Sequence, residues 1–168
     1  MTPLEQLQAL ANPEKATQMA DYHKVDRVYL GIPNAEVHEL AREWRKTLSV
    51  AERVALAASL WDENIFESRL AAASLLTQAR IHDDEALVWA ELMRWVPIFD
   101  SWALADHACS AISRRLVAHP DRLDEVEAWT KDESMWVRRA ALVSTLPWTK
   151  QNHPTAAEQA VRVRVLGW

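Results

Sequence analysis

The chain has two glycines and one cysteine in 168 residues, and no apolar run near the ~18 residues that a membrane-spanning helix needs. Its single thiol, Cys109, excludes an internal disulfide and a cysteine-rich metal site and fits a reducing compartment. The N-terminus lacks the basic-then-apolar pattern of a secretion signal, so the chain reads as cytoplasmic with no membrane partner. Scarce glycine and few β-branched runs, set against plentiful Ala, Leu, Glu and Arg, favour helix almost throughout. No strand pattern occurs. With 49% hydrophobic residues, the chain suits a single domain, residues 1–168, with its own core.

What the chain does carry is acidic charge and tryptophan. The net charge of −5 argues weakly against a nucleic-acid ligand, but its distribution is uneven. Residues 1–100 hold 10 Lys/Arg against 16 Asp/Glu, whereas residues 101–168 hold 9 against 8. The 9 tryptophans are several times the usual share, and most recur in register.

Periodicity and breakers predict helices at 3–11, 13–21, 34–47, 50–60, 63–79, 84–96, 101–118, 121–130, 134–146 and from 155 onward. Pro3 and Pro13 suit first helical turns. Between Tyr22 and Pro33 the periodicity lapses, and Gly31 with Pro33 marks a turn. Asn34 is expected to cap the next helix, which buries Val37, Leu40, Ala41 and Trp44; Ser49 with Glu52 forms a capping-box pattern.

The organising signal is an internal repeat. Trp61, Trp95 and Trp129 are each 34 residues apart and each closes a helix. Ser68, Trp102 and Trp136 keep a second register at the same spacing, with Leu70, Leu104 and Arg138, then Ala71, Ala105 and Arg139, following in step. A helix pair repeated at this period means an all-α superhelix, a HEAT-like solenoid in which each pair buries its faces against its neighbours. The tetratricopeptide pattern Trp-x-x-Leu-Gly-x-x-Tyr is missing.

Within this repeat, Trp102 and Asp106 stand four apart on one helix and share a face. Taken alone, a core tryptophan and a solvated edge aspartate would explain the pair. In the 34-residue register, however, Asp106 falls at the position of Ala72 and Ala140. A carboxylate in an alanine slot needs a wet surface or a partner, and Arg139 is the candidate partner. The other polar residues read as structural. His82, His119 and His153 lack metal-ligand spacing, Glu67 and Arg69 are expected to pair between neighbouring helices, and Cys109 is expected to pack as a small apolar group.

Five stretches in order resemble the HEAT-repeat DNA alkylation repair glycosylases of the AlkD type. They are Tyr22-x-Lys24 with Leu30-Gly31-Ile32, Leu60-Trp61, Glu67-x-Arg69, Ser101-Trp102-x-x-x-Asp106, and Trp136-Val137-Arg138-Arg139-Ala140. The resemblance runs from about residue 19 to the end of the chain. It implies a right-handed solenoid whose concave face grips duplex DNA and an activity that removes N3- and N7-alkylated purines. It further implies that Asp106 is the catalytic carboxylate, that Trp102 lines the lesion site, that Arg139 contacts DNA and the catalytic region, and that Tyr22 approaches the DNA. Lys24, Arg138 and Lys150 are candidate DNA contacts, with Arg162 and Arg164 as either phosphate contacts or solvated side chains. No metal or diffusible cofactor is implied.

The chain departs from the family at its end. Helical register is still running at Val165-Leu166-Gly167-Trp168, so the expectation is a solenoid lacking its C-terminal repeats, with an apolar edge open to self-association. The alternative to a glycosylase is a non-catalytic DNA-binding or protein-interaction solenoid.

Overall fold

A computed structural model describes residues 1–168 as an all-helical chain. The helices are α1 (Pro3–Ala9), α2 (Pro13–His23), α3 (Asn34–Arg45), α4 (Val50–Asp62), α5 (Phe66–Leu76), α6 (Glu85–Trp95), α7 (Trp102–Ala118), α8 (Leu123–Trp129), α9 (Met135–Ser144), α10 (Leu146–Thr149) and α11 (Ala156–Leu166). None is long and apolar enough to cross a membrane.

Local chemistry sets most of these boundaries. Thr2 with Glu5, Ser49 with Glu52 and Thr155 with Glu158 each close a reciprocal capping box. Asn12 caps α2 through its side chain. Asn34 does not cap α3: the residue before the helix is Pro33, which makes no side-chain cap, and Asn34 is already helical. The helix expected from residue 63 starts only at Phe66, because Asn64 takes a left-handed conformation and Phe66 donates its N–H to the Val28 carbonyl. The helix expected over 134–146 ends as α9 at Ser144, and a separate turn, α10, begins at Leu146 with Pro147 in its first turn.

The helices pack as two rows. α3, α5, α7 and α9 follow one another in contact, while α4 packs on α5 and α6, and α8 on α9. This is the nearest-neighbour arrangement of an α–α superhelix. α5 touches α1, α3, α4 and α7, and every residue from Phe66 to Ala73 is buried. The tryptophan repeat marks where the second row locks. Trp61 and Trp95 stack with ring centroids 4.1 Å apart, and the Arg69 guanidinium lies 4.9 Å from the Trp61 centroid on its ring face. Such a stack adds about 0.5–1.5 kcal/mol beyond area burial.

Two expectations change here. Glu67 and Arg69 do not form ion pairs with neighbouring helices. Glu67 is fully buried and accepts from the backbone N–H groups of Leu30, Gly31 and Ile32, while Arg69 donates to the Trp61 carbonyl. Gly31 is needed there: its φ is +79°, and a Cβ would stand 2.2 Å from the Asn12 carbonyl oxygen. The uniform 34-residue register also fails for the first row. Helices α5, α7 and α9 begin at Phe66, Trp102 and Met135, 36 and then 33 residues apart. Counted from these starts, Asp106 corresponds to Leu70 and Arg139, rather than to Ala72 and Ala140. The irregularity comes from the connections: Pro97 directs a 3-10 turn over Val96–Ile98 before α7, whereas α8 and α9 are joined by a short turn.

Candidate active site

The site is built on the first two turns of α7. Ser101, extended and buried, precedes Trp102, the first helical residue. The strand of chain before it is anchored from a distance: Arg27 Nη2 donates to Asp100 Oδ2 at 2.5 Å, and the Arg27 side chain is 1% exposed. Trp102 itself is 42% exposed, which is unusual for a tryptophan in a packed solenoid.

Residues at the end of α2 cover one side of it. Lys24 adopts a left-handed conformation that ends the helix, and this leaves Tyr22 and His23 facing Trp102. Tyr22 meets the indole edge-on at 6.2 Å between centroids, and His23 lies 5.9 Å away. His23 in turn stacks on Tyr29 and Phe66. Burial, and then the nearby Arg27 charge, hold the His23 imidazole below its ordinary pKa. His23 and Arg27 were not among the sequence candidates; the intervening position of Tyr22-x-Lys24 was the available signal for His23.

One turn along α7, Asp106 projects from the same face as Trp102. Arg139 of α9 reaches it with a two-pronged hydrogen bond, Nε to Oδ1 at 2.9 Å and Nη2 to Oδ2 at 2.8 Å. The hydrogen bonds to Asp106 outweigh burial and raise the Arg139 pKa. Both side chains stay open to solvent, Asp106 at 30% and Arg139 at 44%. The fork therefore fixes the direction of an accessible carboxylate without sealing it. Cys109, one turn below, is buried, and burial pushes its thiol pKa far up, so it packs as an inert group against the Ala140 carbonyl.

The remaining candidates divide. Tyr22 joins Trp102, and Lys24, two residues on, is exposed at the end of α2. Lys150 lines a cavity of about 650 Å3 with Arg114, Ser110 and Ser113 on the same side of the molecule as α7 and α9. Arg138 turns away from Asp106 and donates to the Asp132 and Glu133 carbonyls. Arg164 is not free for a phosphate: it is paired with Glu127 and Asp124. Arg162 donates to the Gln151 carbonyl.

An open carboxylate one turn from an open aromatic face is an arrangement suited to a cationic group. The sequence matches the family model for the DNA alkylation repair enzyme over residues 4–164. The chain belongs to the DNA alkylation repair enzyme family. A solved structure described as a predicted DNA alkylation repair enzyme from Enterococcus faecalis has the same fold, with a TM-score of 0.69 at 23% identity, covering 93% of this chain and 72% of that one. No curated protein shows significant similarity to the sequence. Membership in this DNA repair family points to DNA as the substrate class.

Proposed function

We propose that the chain is a DNA glycosylase that releases N3- and N7-alkylated purines from duplex DNA, with Asp106 as the catalytic carboxylate. The observation that carries this reading is the Arg139-oriented carboxylate of Asp106, open to solvent one helical turn from the exposed ring of Trp102.

The chemistry follows from the substrate. An N3- or N7-alkylated purine already bears positive charge, so its glycosidic bond breaks with the bonding pair leaving on the base. Positive charge develops on the sugar. A carboxylate about 4 Å away stabilises that charge by roughly 4 kcal/mol at an effective dielectric near 20. Water then adds to the anomeric carbon and gives its proton to Asp106 or to solvent, leaving a free base and an abasic site. Trp102 offers its face to the cationic nucleotide, worth about 0.5–2 kcal/mol. Arg139 acts through Asp106, as a positioning residue. Tyr22 and Lys24 border the same face and would meet the DNA backbone, with Lys150 further along α7 and α9.

The test is release of methylated purines from alkylated duplex by the parent and by Asp106→Asn. Release by the parent alone supports the assignment; equal release by both removes Asp106 from the chemistry, and no release by the folded parent leaves the alternative, a solenoid that binds without catalysis.

A further inference from the structure

A second concentration of charge lies beside Asp106. α3 presents His38, Arg42 and Arg45 at spacings of four and three, so all three share one face. Across from them α7 supplies His107 and Ser110, and α5 supplies Ser74. Together they line a depression of about 320 Å3 in which only one lining residue, Ala73, is apolar and none is a carboxylate.

In a chain of net charge −5, a depression lined by two guanidinium groups and two imidazoles runs against the average. The carboxylates near it are already occupied. Glu39 takes Nη1 of Arg42 at 2.6 Å and leaves the other N–H groups of that guanidinium to donate, and Asp106 is held by Arg139. α5 contributes no charged lining residue, α4 adds only Arg53, which donates to the Arg45 carbonyl, and the next charge along α7 is Arg114. The imidazoles are also pre-oriented. His107 Nδ1 lies 2.7 Å from the Ala103 carbonyl, which can only accept, so Nδ1 carries the hydrogen and the neutral ring keeps Nε2 as an acceptor. His38 Nδ1 is bonded to Ser74 Oγ at 3.1 Å, and the two rings stand 5.8 Å apart.

The depression adjoins the site through α7. His107 follows Asp106 directly, and the Ser110 hydroxyl donates to the Asp106 carbonyl at 3.3 Å. We propose that a strand whose sugar faces Asp106 runs its neighbouring phosphates along this helix, that the depression seats one of these phosphodiesters, held by Arg42 and Arg45, and that His38 takes up a proton as it binds. This rests on the glycosylase reading for the placement of the sugar, while the anion site itself stands on its own geometry.

The sign of the pH effect is fixed. In the free protein, burial first, then the charges of His107 and Arg42, hold the His38 pKa below its ordinary 6.5. A bound phosphate favours the charged imidazole and raises that pKa, so binding takes up a proton. Duplex affinity therefore falls as pH rises through the interval between the free and bound values.

The experiment measures duplex affinity by fluorescence anisotropy at pH 6.0 and 7.5 across a salt series, for the parent, His38→Gln and Arg42→Gln. Arg42 is exposed, so its replacement leaves the fold intact. The parent is expected to bind about three- to tenfold tighter at pH 6.0, His38→Gln to lose that dependence, and Arg42→Gln to weaken duplex binding with a salt slope reduced by at most about 0.9, the share of one phosphate. An unchanged pH dependence in His38→Gln, or an unchanged affinity in Arg42→Gln across the salt series, overturns the proposal. The His38 imidazole NMR signal separates the sources of the anion. A shift on adding micromolar duplex supports the strand, whereas a response to millimolar inorganic phosphate alone overturns it. Failure here with base release still dependent on Asp106 removes only the phosphate site. Weakened binding in both variants without any base release removes only the glycosylase.

Discussion

Glu85 and Asp106 each receive a two-pronged arginine from further along the chain. Arg122 donates to both oxygens of Glu85 at 2.6 Å, and Arg139 to those of Asp106 at 2.9 and 2.8 Å. The surroundings separate them. The Glu85 side chain is 10% exposed and also faces the fully buried Arg115 at 3.5 Å and His119 at 3.6 Å, while Arg122 lies against the Trp89 ring. Asp106 is open and has Arg139 as its single side-chain partner. A carboxylate has about four acceptor directions, so Asp106 keeps roughly half of them available beside Trp102. The same covalent groups thus make a rivet in one place and a usable carboxylate in the other. Burial and the number of partners decide which.

The largest effect on folding should come from breaking the rivet. Glu85→Ala leaves Arg115 buried without its countercharge, and urea unfolding should show a loss of about 3–5 kcal/mol. The hydrogen bonds from Arg122 are the main cause holding the Glu85 carboxyl below its ordinary 4.5. Its contribution is therefore complete above that value and disappears as pH falls through the lower folded-state value. Glu85→Gln should accordingly flatten the acid limb of the stability curve measured by circular dichroism.

Arg139→Gln tests the open fork. Base release should fall by about tenfold as Asp106 loses its fixed direction, with a stability change below about 1 kcal/mol because the pair is exposed. Arg139→Lys keeps the charge without the fork and should recover only part of the rate. Rates equal to the parent in both variants would remove Arg139 from its positioning role. Next in size, Trp102→Leu should slow release by about 2- to 30-fold, the kinetic equivalent of a cation–π contact. A larger loss accompanied by a lowered melting temperature would make Trp102 a packing residue instead. Smallest is Arg164→Ala, whose pairs with Glu127 and Asp124 lie at the surface: less than about 1 kcal/mol in stability, and no change in the salt slope of DNA binding.

The solenoid was legible because its locking residues are distinctive. Trp61 and Trp95 are large, repeat at a constant spacing, and stack on one another. The first-row register was not legible, because the turn around Pro97 and the turn before Met135 differ in length while hydrophobic periodicity restarts in each helix. Trp102, Asp106 and Arg139 could be picked out since a tryptophan and a carboxylate four apart stand out on one helix. The depression at His38 could not, because its members come together only when α3 packs on α5 and α7 brings His107 alongside. The basic stripe at 38, 42 and 45 was the partial signal. Glu67 was misread for a related reason: the amides it binds belong to the segment around Gly31, and no pattern in a sequence pairs a helix carboxylate with distant backbone N–H groups.

The most direct measurement is the single-turnover rate of 3-methyladenine and 7-methylguanine release from methylated duplex by Asp106→Asn, with its unfolding free energy and duplex affinity determined on the same preparation. The expected rate is roughly a thousandfold below the parent, the kinetic counterpart of about 4 kcal/mol, with stability within about 0.5 kcal/mol and DNA binding retained. A parental rate in Asp106→Asn, or a loss of rate that follows unfolding, would contradict Asp106 as the catalytic carboxylate.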